Sequence, residues 1–184
     1  MLKYDYFSVM QTLADKSSDA VGYACTRRVG NAQRIPVLRA ECHKLLCDLE
    51  RALFSEFLPP LDRASIAAYA HALCDVTDNA LLYAGAAPIQ YAKISQKDFD
   101  SACLSLCEIL CETTAVLDKI KKSSEIPRLE EFREKKALAI EKIFTGASSI
   151  QSSRTPHIFI AREELLASIS YAFDSLVEII LKNI

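Results

Sequence analysis

Apolar residues recur along this chain at steps of three and four, the spacing that puts them on one face of a helix. Tyr6, Phe7, Met10, Leu13, Ala14, Val21 and Ala24 predict a first amphipathic helix from about Tyr4 to Arg27, ended by Gly30-Asn31. Leu38, Leu45, Leu46, Leu49, Leu53 and Phe57 predict a second, from about Ile35 to Phe57, with Pro36 tolerated in its first turn and Pro59-Pro60 as the stop. Asp62 can cap a third, whose face of Ile66, Tyr69, Ala70, Leu73, Val76 and Leu81 continues until Gly85 and Pro88.

The second half repeats the count. Phe99, Cys103, Leu106, Cys107, Leu110, Cys111 and Leu117 predict a helix from about Gln96 to Lys122, followed by a break at Ser123-Ser124. Pro127 opens a fifth helix through Leu129, Phe132, Leu138, Ile140, Ile143 and Phe144 to Gly146, and 147–156 reads as a loop. Ile160, Leu165, Leu166, Ile169, Phe173, Leu176, Ile180 and Leu181 mark the last helix, about Ile158 to Asn183. At about 1.5 Å per residue the helices reach roughly 33 to 40 Å, lengths suited to an elongated bundle. The expected fold is all-α: six long antiparallel helices in two tandem three-helix bundles, residues 1–90 and 91–184 of a single domain. Glu41 precedes Phe54 by thirteen positions, and Glu131 precedes Phe144 by the same interval, a weak sign that the halves are repeats.

Composition narrows the function. With only four glycines and six prolines among 184 residues, the turns of a sandwich or barrel and the glycine-rich phosphate loops of nucleotide-binding folds have no residues to build them. No Gly-x-Ser-x-Gly elbow supports a hydrolase. A formal net charge of −2 gives no drive toward nucleic acid, and the basic clusters Arg27-Arg28 and Lys119-Lys121-Lys122 suit helix ends. Seven cysteines without a Cys-x-x-Cys pair argue against a disulfide framework, and no signal peptide or spanning segment is evident, so a cytoplasmic protein is expected.

The best candidate site is acidic. His71, Cys74, Asp75 and Asp78 fall at steps of three and four on helix three and could converge on one cation, with Glu41 and His43 of helix two completing a shell. Glu41 and His43 are two residues apart, which turns them to different sides of their helix. The plainer reading is a solvated face with ordinary ion pairs. Cys103, Cys107 and Cys111 recur every four residues but alternate with leucines, which favours packing over soft-metal binding. The three histidines form no His-x-x-x-His pair, and neither His71 nor His157 suggests a catalytic centre.

The segment Phe57-Leu58-Pro59-Pro60-Leu61-Asp62-Arg63, followed by Ala72-Leu73-Cys74-Asp75-Val76-Thr77-Asp78, resembles the PhoU-like family of phosphate-transport regulators. There a phenylalanine, a Thr-Pro-x-Asp-Arg turn and an Asp-Asp-x-x-Asp helix follow one another at this spacing. Tyr4-Asp5-Tyr6-Phe7, the stretch from Leu129-Glu130-Glu131 to Ile143-Phe144, and the closing Ile180-Leu181-Lys182-Asn183 agree with it, so the resemblance covers nearly the whole chain. It implies two tandem three-helix bundles and a non-enzymatic, cytoplasmic regulator. It also implies a membrane phosphate transporter of the Pit type as partner, which would hold the chain peripherally at the inner membrane face.

Some members bind metal clusters through acidic motifs on facing helices. Here Arg39 and His43 replace an acidic pair around Glu41, and Cys74 replaces the first acid before Asp75 and Asp78. Leu129 and Arg133 replace a pair around Glu131, and Tyr171 takes an acidic position before Asp174. The second-half metal site is therefore expected to be lost. A degenerate first-half site of Asp75, Asp78, Glu41 and His43 remains as a candidate for a divalent or iron cation. Cys74 stands at a ligand position, and the other six cysteines are expected to pack. The alternatives to a transport regulator are a helical metal-binding protein using those acids and a homo-oligomeric scaffold; no nucleic-acid partner is expected.

Overall fold

The computed structural model describes residues 4–26, 30, 33–55, 59–86, 93–117, 119, 128–148 and 156–183. Among them are six helices: α1 Tyr6–Thr26, α2 Ile35–Ser55, α3 Arg63–Gly85, α4 Lys93–Ala115, α5 Leu129–Ser148 and α6 Pro156–Asn183. No strand occurs among the described residues. The expected ends at Arg27, Phe57 and Lys122, the break at Ser123-Ser124 and the opening Pro127 lie outside them.

Local chemistry explains several boundaries. Asp62 caps α3 as expected, its carboxylate accepting from the Ser65 backbone N–H at 2.9 Å and the Ser65 hydroxyl at 2.7 Å. Gly30, with φ of 90°, takes the left-handed turn after α1 that a side chain would disfavour. Helix α4 ends at Ala115 rather than reaching Lys122. Beyond it the Leu117 and Lys119 N–H groups bond to carbonyls three residues back, at Thr114 and Val116, which tightens the chain out of the α-helix. In the other direction α4 starts at Lys93, three residues before its apolar face becomes legible. Helix α6 starts at Pro156, where a missing N–H costs nothing, and α5 runs past Gly146 to Ser148.

Helices α1, α3, α6 and α4 form a closed ring of contacts, the most extensive between α3 and α6. Helix α2 covers α1 and α3 from one side, and α5 covers α4 from the other, touching α6 less. The α3–α6 packing between the two triplets is more extensive than that of any helix pair within them, and both share one continuous apolar core. Leu13, Leu49, Ile66, Leu73, Leu106, Leu165, Ile169 and Leu176 are fully buried in it. At about 1.5 to 3 kcal/mol for each large side chain buried, this core dominates the forces holding the helices together.

Polar contacts set the register. The Ser17 hydroxyl lies 2.8 Å from the Leu13 carbonyl and 2.7 Å from the Leu73 carbonyl, and Thr77 donates to Ser17 at 3.2 Å; these small side chains bring α1 and α3 close. Tyr69 on α3 reaches Thr114 on α4 at 2.5 Å. Lys182 near the end of α6 meets Ser65 at 3.1 Å at the start of α3, so these two helices run antiparallel. Phe132 and Phe173 stack at 3.8 Å with planes 7° apart and join α5 to α6.

Four residues expected on buried faces are exposed: Leu138, Ile140, Ile160 and Leu181. For Ile140 the reason is the outer position of α5, which packs more on α4 than on α6 and leaves an open cleft beside this residue. Phe54 of the suspected repeat is 89% exposed, so its spacing from Glu41 does not reflect a packing role. The cysteine assignment is also reversed at two positions. Cys74 is buried, whereas Cys47, expected to pack, is exposed.

Candidate functional site

The predicted acidic residues lie along the seam between α2 and α3. Arg39 and His43 stand one turn apart on α2 and face Asp78 on α3. Arg39 donates from Nε to Asp78 Oδ1 at 2.6 Å and from Nη2 to Oδ2 at 3.3 Å, while His43 Nε2 lies 3.3 Å from Oδ1. Burial would raise the Asp78 carboxyl, but these hydrogen bonds outweigh it and hold it below the usual carboxylate range. Asp75, one turn earlier, moves the other way. Burial and the Asp78 charge push it up, against the partial opposition of His71 and His43.

The rest of the predicted shell is drawn elsewhere. Glu41 turns toward α1 and pairs with Lys16. His71 pairs with Glu50 at 2.9 Å. Cys74 points inward, where burial first and neighbouring Cys42, Asp78 and Asp75 next push its thiol up to about 12, so it stays protonated. Among the described residues no three of His, Cys, Asp and Glu stand where they could hold one metal ion. A cation at this seam would meet the Arg39 guanidinium already spanning both Asp78 oxygens. The donor set does not fit a resident metal.

The second half repeats the theme. Glu131 accepts a two-point fork from Arg128, with Nε and Nη2 each at 2.8 Å, and Arg128 also contacts Glu112 on α4. The fork lowers the Glu131 carboxyl. Arg128 adopts φ of 57°, a conformation that a non-glycine residue adopts at a cost, to reach both acids. Thus three acids at the positions singled out by the resemblance, Glu41, Asp78 and Glu131, are each bound by a lysine or arginine of the chain itself.

Asp174 has a different setting. With Lys136, Ile140, Glu163, Leu166 and Tyr171 it borders an open cleft of about 450 Å³ between α5 and α6. Nothing in the sequence marked this cleft, because it arises from how far α5 stands off α6. Arg128 was equally hidden, since its role depends on a backbone turn and on two acids sixteen and three positions away.

No model of a known protein family matches the chain, and no curated protein matches it in sequence. Solved structures do match. A protein from Shewanella oneidensis MR-1 described as a PhoU-like phosphate regulatory protein superposes with a TM-score of 0.75 at 12% identity, over 97% of this chain and 98% of that chain. A PhoU-like protein of the same organism gives 0.70 at 13% identity, with the same two coverages. The resemblance read from Phe57 to Asp78 therefore holds at the level of the fold: over essentially its whole length, this chain has the helical architecture of PhoU-like proteins.

Proposed function

We propose that this chain is a non-enzymatic regulator of inorganic phosphate transport, acting by contact with a membrane phosphate transporter, of the Pit type, from the cytoplasmic side. The observation that carries the reading is the fold match over 97% of this chain and 98% of a PhoU-like phosphate regulatory protein. Two further observations support it. No helix among the described residues is long and apolar enough to cross a membrane, so contact with a transporter would be made from outside the bilayer. Two of the seam acids, Asp78 and Glu41, are engaged in ion pairs with Arg39 and Lys16 rather than presented as ligands.

The competing reading is a metal-binding protein using Asp75, Asp78, Glu41 and His43. It requires a cation to displace Arg39 from Asp78 and Lys16 from Glu41, and Cys74 has left the surface. The transport reading is tested by binding of the purified chain to a detergent-solubilised phosphate transporter, with an unrelated transporter as control. Saturable binding to the phosphate transporter alone supports it; equal or absent binding to both contradicts it.

A further inference from the structure

The open cleft between α5 and α6, about 450 Å³ in volume, has a mainly apolar lining although it faces solvent. Ile140 of α5 and Leu166, Ala167 and Tyr171 of α6 supply that lining. Ile140 is 38% exposed and Tyr171 57%. Ile160, 55% exposed, extends the same face of α6, because Ile160, Ala167 and Tyr171 follow one another at steps of seven and four. One exposed isoleucine needs no explanation, but large apolar side chains gathered on one face beside a cleft mark an interaction surface.

Two acids border the same cleft. Glu163 and Asp174 are exposed on α6 and stand eleven residues apart, about 16 Å along the helix. Asp78, Glu41 and Glu131 are each held by a lysine or arginine of the chain. Among the described residues, by contrast, neither Glu163 nor Asp174 forms an ion pair. Lys136 is the one cation among the described lining residues, so the rim has an excess of negative charge.

We infer that the α5–α6 cleft is a docking groove for a basic amphipathic helix of a partner protein, with apolar side chains seated over Ile140, Ala167 and Tyr171 and lysine or arginine meeting Glu163 and Asp174. A groove between two helices receives the side-chain ridge of a third, with apolar anchors one turn apart. The distance between the two acids corresponds to three turns of such a helix, whereas a small organic cation reaches only one of them. The negative rim repels acidic peptides and anionic lipid surfaces. Cytoplasmic segments beside membrane spans carry an excess of lysine and arginine, the chemistry this groove selects. The inference does not require the partner to be a phosphate transporter, so this reading and the transport reading can fail separately.

The probe is a fluorescein-labelled helical peptide of about five turns, with leucines along one face and two lysines eleven positions apart, titrated with the full chain and read by fluorescence anisotropy. Saturable one-to-one binding is expected, at least tenfold weaker for a counterpart with glutamate in place of lysine. Glu163→Gln combined with Asp174→Asn should weaken binding and flatten its salt dependence. Ala167→Arg, which fills the cleft wall and adds a like charge, should abolish it. These three positions are exposed on a helix, so the variants should retain wild-type circular dichroism. Absence of saturable binding, equal binding of the glutamate peptide, or unchanged affinity in Ala167→Arg overturns the inference. Equal binding of a counterpart broken by a central proline overturns it in favour of an extended segment. Self-association of the chain in sedimentation that Ala167→Arg abolishes overturns it in favour of a second copy. Should Ala167→Arg fail to fold, the peptide comparison and the Glu163→Gln, Asp174→Asn variant decide it.

Discussion

Arg39 spans both carboxylate oxygens of Asp78 across the α2–α3 seam, at 2.6 and 3.3 Å. The pairing decides what the neighbouring acid experiences. Asp78 is held ionised by its partners, whereas Asp75, one turn away and without such a fork, bears the repulsion of Asp78 in addition to burial. Two carboxylates of equal charge on one helix face therefore have opposite electrostatic roles.

Their substitutions should differ in sign. The folded-state value of Asp78 lies below its ordinary 3.8, so its stabilising contribution is complete above that pH and is lost as pH falls through the folded value. Asp75 is raised above 3.8, so its penalty is complete at neutral pH and disappears on acidification toward 3.8. At pH 7, Asp78→Asn should lower the midpoint of thermal unfolding and Asp75→Asn should raise it, each modestly because both groups are partly solvated. The Asp75→Asn gain should vanish by about pH 4. Destabilisation by both variants, reversed by added metal and mimicked by chelator, would instead assign the pair to a metal centre.

Tyr69 and Thr114 give a second directional comparison. Thr114 donates its hydroxyl to the Leu110 carbonyl at 2.7 Å, so Tyr69 supplies the proton of the 2.5 Å bond between them. Tyr69→Phe removes that donor while Thr114 remains satisfied through Leu110, and should cost about 1 kcal/mol in chemical denaturation. Thr114→Val leaves the buried tyrosine hydroxyl without its acceptor, and should cost more, about 1 to 3 kcal/mol. The reverse order would show that the hydroxyl of Tyr69 finds another partner.

Thiol labelling reads burial directly. Cys47 is exposed and Cys111 partly so, while Cys25, Cys42, Cys74, Cys103 and Cys107 are buried. A thiol reagent added to native protein should modify Cys47 rapidly and Cys111 more slowly, with the other five reacting only on unfolding. Cys47→Ser should abolish the fast phase. Rapid reaction at Cys74 would place that residue at the surface beside Asp75 and contradict the packing described here.

Much of the fold was legible because it rests on local signals. Three- and four-residue spacing marked all six helices, Asp62 announced its cap, and Cys103 and Cys107 behave as the small apolar residues that their leucine neighbours implied. Tertiary placement was not legible. Amphipathic spacing gave Ile140 an inward face, but the stand-off of α5 from α6 leaves it at an open cleft. The seam was half legible: the spacing of Asp75 and Asp78 was apparent, yet whether Arg39 would repel a cation from a distance or occupy the acid itself depended on the α2–α3 register. Arg128 left no periodic signature, since it acts through a left-handed backbone turn.

The central claim is that this helical bundle regulates phosphate movement by touching a transporter. Its most direct test is the initial rate of radiolabelled phosphate flux in inside-out membrane vesicles that contain a Pit-type phosphate transporter, with the purified chain added to the face that was cytoplasmic. The account predicts a saturable change in phosphate flux, unaltered by chelator and absent for an unrelated solute carried in the same vesicles. An unchanged phosphate rate at saturating protein, or an equal effect on the unrelated solute, would contradict it.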